Sequence, residues 1–157
     1  MNITLSWDKV APQIIVGSYP DSPESISFLK NELGVTGVLN LQSDKDLYRR
    51  GIRWDLLWRA YIGKSMEVVR VPIVDLKPAD LEKNLSEAVD ALTSLVSRHE
   101  KIYVHCNVGI NRSPTTVIAY LVSTGVSLVD AENQVRNSRE CVPYVDVVER
   151  WMATRGY

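Results

Sequence analysis

A thiol and a guanidinium six positions apart, Cys106 and Arg112, sit near the two ends of the stretch Val104-His105-Cys106-Asn107-Val108-Gly109-Ile110-Asn111-Arg112-Ser113-Pro114. The residues before Cys106 read as a buried strand, and Pro114 to Val122 read as an apolar helix that starts at about Ser113. The five residues between Cys106 and Arg112 therefore form a tight strand-to-helix loop. Such a loop aims several backbone N–H groups at one point, which is an anion site. A thiolate held there is favoured by the helix dipole and by Arg112. The planar fork of Arg112 can meet two oxygens of a phosphate. Gly109 lets the turn adopt a positive φ and the backbone come close to the anion. If Cys106 were only a small buried apolar residue, Arg112 would stand unexplained at a helix N-terminus, where a cation is unfavourable. The residues predict a phosphate cradle, Asn107 to Arg112, with a nucleophile at its floor.

The elements that must position this loop alternate along the chain. Gln13 to Tyr19 reads as a β-branched strand stopped by Pro20. Ser22-Pro23-Glu24 opens a helix with apolar positions at Ile26, Leu29 and Leu33, ended by Gly34. Val35 to Leu41 is a second strand, apolar enough to be buried on both faces. Leu47 to Tyr61 has helical character but no single apolar face. Val68 to Val74 is a strand, followed by a loop through Asp75 and Pro78. Leu81 to Val96 is a strongly amphipathic helix. Ser127-x-x-Asp130 has the spacing of a capping box for a helix to about Ser138, and Val145, Val148 and Trp151/Met152 mark a last one. Alternating strands and helices predict an α/β fold, a central and mostly parallel sheet flanked by helices.

His105-Cys106-x5-Arg112-Ser113 resembles the signature loop of the cysteine-dependent protein tyrosine phosphatase superfamily. The short chain and Ile15-Val16-Gly17-Ser18 resemble its compact dual-specificity branch. The resemblance implies a dual-specificity-phosphatase-like fold and no cofactor or metal. It implies that Cys106 attacks phosphorus and that Arg112 and the loop amides of Asn107, Val108, Gly109, Ile110 and Asn111 hold the equatorial oxygens. It also implies that Ser113 assists departure of the sulfur and that His105 supports the loop. Relatives place an acid aspartate after a strand roughly thirty residues before the cysteine, the setting of Asp75 here. Asp80 is the rival, equally well explained as a helix N-cap. A solvated turn is the better reading for Asp44 and Asp46.

Within the branch, Ile15 to Ser18, Val38 to Asp46 with Gly51-Ile52, and Arg139-Glu140-Cys141-Val142-Pro143 are similar to the plant glucan phosphatases and laforin. Val108 and Asn111 stand where those proteins typically carry Ala and Gly. An aromatic residue often follows the acid in them, where Leu76 stands here. Trp54, Trp58 and Tyr61 could stack on sugar rings; the simpler expectation is that they pack beside the sheet and leave Arg50, Arg53 and Arg59 in water. Cys141 reads as structural rather than as a redox partner of Cys106, and His99 as a cation suited to a helix C-terminus.

The chain carries 18 Lys plus Arg against 19 Asp plus Glu over 157 residues, so no general attraction to nucleic acid or an anionic membrane is expected. With 45% hydrophobic and 24% charged residues it has the make-up of a globular protein. Two cysteines and two histidines are too few for a disulfide framework or a zinc cage. No leader is evident at Asn2, and the expectation is one cytoplasmic domain over residues 1–157, a trimmed transit peptide being the alternative. The expected activity is hydrolysis of phosphate monoesters through a phosphocysteine. The substrate would be a phosphorylated protein or, alternatively, a phosphorylated glucan. A catalytically dead phosphate-binding module is the third reading, disfavoured because Cys106, Arg112 and an acid are all present.

Overall fold

The computed structural model describes residues 4–157, so the chain start at Asn2 lies outside them. Five strands, β1 (Trp7–Ala11), β2 (Ile14–Gly17), β3 (Gly37–Asn40), β4 (Glu67–Arg70) and β5 (Ile102–His105), form one sheet in the order β1-β2-β5-β3-β4. β2, β5, β3 and β4 run parallel, and β1 is antiparallel to β2. The helices are α1 (Pro23–Asn31), α2 (Asp44–Arg49), α3 (Trp54–Gly63), α4 (Pro78–Arg98), α5 (Arg112–Ser123), α6 (Leu128–Ser138) and α7 (Val145–Arg155). The architecture is the mixed, mostly parallel sheet with flanking helices that the alternation of elements implies.

Side chains alternate across the sheet with the period of a strand. Ile14, Val16, Leu39, Ile102 and Val104 face the larger core, which Leu81, Leu85, Leu92, Val117 and Trp151 complete from α4, α5 and α7. Ile15, Val38 and Tyr103 face the other way, onto Ile26 and Leu29 of α1 and Leu57 and Tyr61 of α3. Leu85 and Leu92 are fully buried. Each such leucine contributes about 1.5–3 kcal/mol relative to an exposed one. β5 lies between β2 and β3, so its C-terminal end opens at the centre of the sheet edge where ligands bind in open α/β folds.

Three local differences from the sequence expectation have physical causes. β1 was not anticipated, because its residues do not alternate apolar and polar. The Pro12-Gln13 turn nevertheless pairs Ala11 with Ile14 and lays β1 on β2. The stretch 47–61 is two helices rather than one, broken where Gly51 adopts φ +63 and Ile52 N–H returns to the Leu47 carbonyl. The reading of Asp44 and Asp46 as a solvated turn holds for the exposure of Asp44 but not for Asp46, which is buried, and both residues are helical. Both lie in the first turn of α2, closed by a reciprocal capping box between Ser43 and Asp46.

Candidate active site

β5 ends at His105, and the loop to α5 is shaped by its carbonyls. The Cys106 carbonyl accepts from His105 Nδ1 at 2.9 Å, and that of Asn107 from the Tyr19 N–H at 3.1 Å. Arg139 donates from Nη2 to the Val108 carbonyl at 2.9 Å and from Nε to that of Gly109 at 2.7 Å. The Ile110 carbonyl accepts from the Val142 N–H at 2.9 Å, and that of Asn111 from the Thr115 hydroxyl at 2.6 Å. In a trans peptide the C=O and the following N–H point in opposite directions. Holding these carbonyls outward therefore turns the N–H groups of Asn107 through Arg112 inward. Among the described residues none of those N–H groups has an acceptor. Unpaired donors converging at a helix start favour an anion.

Two glycines permit this shape. Gly109 sits at φ +70, and a Cβ there would lie 2.6 Å from the Gly17 carbonyl oxygen. A Cβ on Gly17 would lie 2.5 Å from the Ser6 carbonyl and 2.1 Å from the Tyr103 hydroxyl. The strand end Ile15-Val16-Gly17-Ser18 thus supplies the close backbone approach that the loop needs.

Cys106 and Arg112 are both buried beneath this ring of amides, each 2% exposed. Arg112 is fixed from behind, with Nη1 donating to Asp46 Oδ2 at 2.7 Å and to the Ile73 carbonyl at 2.8 Å. Asp46 also accepts from Asn107 Nδ2 at 3.0 Å and from the Ser43 N–H. Burial alone would raise the Asp46 carboxyl, but the hydrogen bonds from Arg112, Ser43 and Asn107 outweigh it and hold the group below the usual carboxylate range. Nε of Arg112 is buried and donates no hydrogen bond among the described residues. The Asp75 carboxylate lies 3.3 Å from it, close enough for an ion pair but poorly aligned for a hydrogen bond.

Asp75 also approaches Asn107 Nδ2, at 3.5 Å, so its carboxylate stands at the rim of the cradle. Asp80 faces elsewhere. It is the third residue of α4 rather than the N-cap, a position taken by Lys77, and it accepts the Val74 N–H at 2.8 Å. β4 ends at Arg70 rather than at Val74, and the contact braces the loop after it that carries Asp75. The Ser113 hydroxyl is fully buried and has no partner among the described residues. His105 is buried, and burial lowers its pKa to about 4, so the ring is neutral at neutral pH. Because a carbonyl only accepts, Nδ1 carries the proton in its bond to Cys106. Arg112 and Asp75 thus meet at the cradle, His105 braces the Cys106 carbonyl, and Ser113 follows Arg112 at the start of α5.

The dual specificity phosphatase catalytic domain family matches residues 14–151, nearly the whole chain. The chain belongs to that family. A phosphoglucan phosphatase of the amyloplast from Castanea sativa is 29% identical over 149 residues, covering 92% of this chain and 39% of its own length. A chloroplastic phosphoglucan phosphatase of Arabidopsis thaliana is 31% identical over 88% of this chain and 24% of its own. The human dual specificity protein phosphatase 22 is 25% identical over 85% of this chain and 65% of its own. The chain therefore spans less than two thirds of the length of these relatives. Tk-PTP in its active form shares the fold with a TM-score of 0.74 at 22% identity, covering 95% of each chain.

In this dual specificity phosphatase domain, Asp46 and Arg139 are the residues whose importance the sequence did not show. Ser43-x-x-Asp46 has the same capping-box spacing as Ser127-x-x-Asp130, and that signal would have marked α2. At Ser127 only one arm forms, from the Asp130 N–H to the serine. Arg139 is buried and also bonds Asp8 Oδ2 at 2.9 Å, tying β1 to the loop. Asn111 donates from Nδ2 to the Val142 carbonyl at 2.7 Å. Burial pushes the Cys141 thiol up despite Arg136 and Arg139, which suits a packing residue. His99 caps α4 and bonds Thr36 and Glu67.

The aromatic trio divides. Tyr61 is core, Trp54 is half-buried beneath the Arg70 guanidinium at 5.3 Å, and Trp58 is 48% exposed. Arg53 and Arg59 are exposed as expected. Arg50 is exposed too, but its guanidinium lies over the Tyr19 ring.

Proposed function

We propose that this chain hydrolyses phosphate monoesters through a phosphocysteine. The observation that carries the reading is the ring of inward N–H groups between Cys106 and Arg112. The Cys106 thiolate attacks phosphorus as the ester oxygen leaves, taking a proton from Asp75. The amides and the free Nε–H of Arg112 hold the equatorial oxygens. In the second step Asp75 accepts a proton from water, whose oxygen attacks the phosphocysteine. The thiolate leaves, and the unpartnered Ser113 hydroxyl donates to it. The test is phosphate release from p-nitrophenyl phosphate with chelator present. Cys106→Ser should abolish it while orthovanadate binding survives; appreciable turnover by that variant would refute the covalent step.

The substrate we infer is a phosphorylated protein. The two clefts beside the cradle are lined by aliphatic, hydroxyl-bearing and charged residues such as Leu76, Val108, Ile110 and Ser18. A phosphoglucan is the second reading, supported by similarity to phosphoglucan phosphatases and by the half-exposed ring of Trp58. Phosphate release from a phosphotyrosine peptide and from solubilised phosphoglucan, each relative to p-nitrophenyl phosphate, separates them. A high glucan-to-peptide ratio would reverse our choice.

A further inference from the structure

Four side chains at the cradle close into a ring. Asp46 meets Arg112 Nη1 through Oδ2 at 2.7 Å and Asn107 Nδ2 through Oδ1 at 3.0 Å. The same Nδ2 approaches Asp75 Oδ2 at 3.5 Å, and Asp75 Oδ1 lies 3.3 Å from Arg112 Nε. Asn107 is buried and follows Cys106 directly in the chain. Carboxylates only accept, so the amide must turn its NH2 group towards the two acids. Its Oδ1 is left for Gln42, whose Nε2 donates to it at 2.9 Å. Gln42 is buried too, and its backbone is held at both ends. Its N–H donates to Asn40 Oδ1 at 2.8 Å, and its carbonyl accepts from Arg70 Nη2 at 2.9 Å.

The need to satisfy a buried Asp46 would explain the bonds of Asn107 to Asp46 and Gln42. It would not explain the arm towards Asp75. Asp75 lies between β4 and α4, whereas the nucleophile lies between β5 and α5, so the two need a tie. The loop of Asp75 fixes one oxygen, since Oδ1 accepts the Leu76 N–H at 3.0 Å. A single contact leaves a carboxyl free to turn about its soft terminal torsion, and a second sets its plane. Arg112 is not that second contact during reaction, because its Nε–H then donates to the phosphate. Asn107 is. Its arm is long in the unliganded chain, as catalytic hydrogen bonds often are before substrate tightens them.

We propose that Asn107 is a positioning residue for Asp75, and that Gln42 sets the direction of its amide. The role rests on, and deepens, the phosphocysteine reading above. Cys106 Sγ bonds to phosphorus, the electron pair of the P–O bond passes to the ester oxygen, and Asp75 supplies that oxygen with a proton. The carboxylate so formed takes a proton from water in the second step. Asn107 indexes the carboxyl to the nucleophile through both transfers. Its backbone is anchored separately, by the Tyr19 N–H on its carbonyl, so the ring of amides does not depend on its side chain.

The test compares kcat/KM for phenyl phosphate, which needs the proton, with that for p-nitrophenyl phosphate, which needs it little. The ratio of the two is internal to each sample, so any loss of folded enzyme cancels. Asn107→Leu should lower the ratio about tenfold or more, the cost of a misplaced catalytic group. Gln42→Met, which keeps Asn107 but frees its amide, should lower it by a smaller factor. In the Asp75→Ala background Asn107→Leu should lower it no further, since its effect passes through Asp75. An unmoved ratio in Asn107→Leu, or an equal fall with and without Asp75, overturns the positioning role and leaves the phosphocysteine reading in place. Equal losses on both substrates with weakened orthovanadate binding confine Asn107 to supporting Asp46 and overturn it as well. Appreciable turnover by Cys106→Ser overturns the reading beneath it.

Discussion

Nη1 of Arg112 lies 2.7 Å from Oδ2 of Asp46, a carboxylate 66 positions away in the chain and almost as buried as its partner. The pair fixes one edge of the guanidinium and leaves the unpaired Nε–H facing Asp75 and the cradle. Asp46→Asn keeps the shape but removes the charge opposing a buried cation. Breaking such a pair costs about 3 kcal/mol, and the loss should appear in chemical denaturation. Activity on p-nitrophenyl phosphate should fall about tenfold or more, with orthovanadate binding weakened alongside. Asp44→Asn, on the exposed face of α2, should do neither.

Arg139 acts on the same site from outside. By holding the carbonyls of Val108 and Gly109 it sets the direction of the N–H groups of Gly109 and Ile110. Arg139→Leu should weaken orthovanadate binding at least tenfold, since two amides lose their aim and two carbonyls lose a donor. Arg139→Lys should recover only part of the loss, because one ammonium cannot reproduce the fork across two carbonyls. Equal orthovanadate affinity in all three proteins would show that the loop holds its shape without the clamp.

The contrast between these two residues and Cys106 shows what can be read from residue order. Cys106, Gly109, Arg112 and Ser113 are close in the chain, and their spacing between a strand and a helix already implies an anion loop. Asp75 follows from its place after a strand. Asp46 and Arg139 reach the loop only through the tertiary fold, and nothing local ties either to it. Arg139 stood within a stretch similar to glucan phosphatases, yet its contacts needed the β1 hairpin, itself hidden by a strand without alternation. The break at Gly51 was obscured for a related reason, because helix-favouring residues stand on both sides of it.

Asp75 and Asp80 can be separated by leaving group. Asp75→Ala should slow hydrolysis of an alkyl or phenyl phosphate by a factor on the order of 10² to 10⁴, and that of p-nitrophenyl phosphate much less, because nitrophenolate departs without a proton. Asp80→Ala loses the brace on the Val74 N–H and should lower both rates by a similar, smaller factor. A leaving-group dependence found in Asp80→Ala and absent in Asp75→Ala would exchange their roles.

His105 predicts a pH-dependent stability. Burial lowers its pKa to about 4 in the folded chain, against an ordinary value of 6.5. Between these values the unfolded chain binds a proton that the folded one does not, so stability falls as the pH drops through that window. The contribution is about 3 kcal/mol in total at 1.36 kcal/mol per pH unit. Asp46 and Glu67, whose pKa values are lowered from 3.8 and 4.5, add losses of their own mainly at the acid end of the window and below it. His105→Asn can still donate to the Cys106 carbonyl but does not titrate. Unfolding free energies measured from pH 7 to pH 4.5 should fall more steeply for the unaltered chain than for His105→Asn. Parallel curves would mean that the folded chain accommodates a protonated ring at position 105.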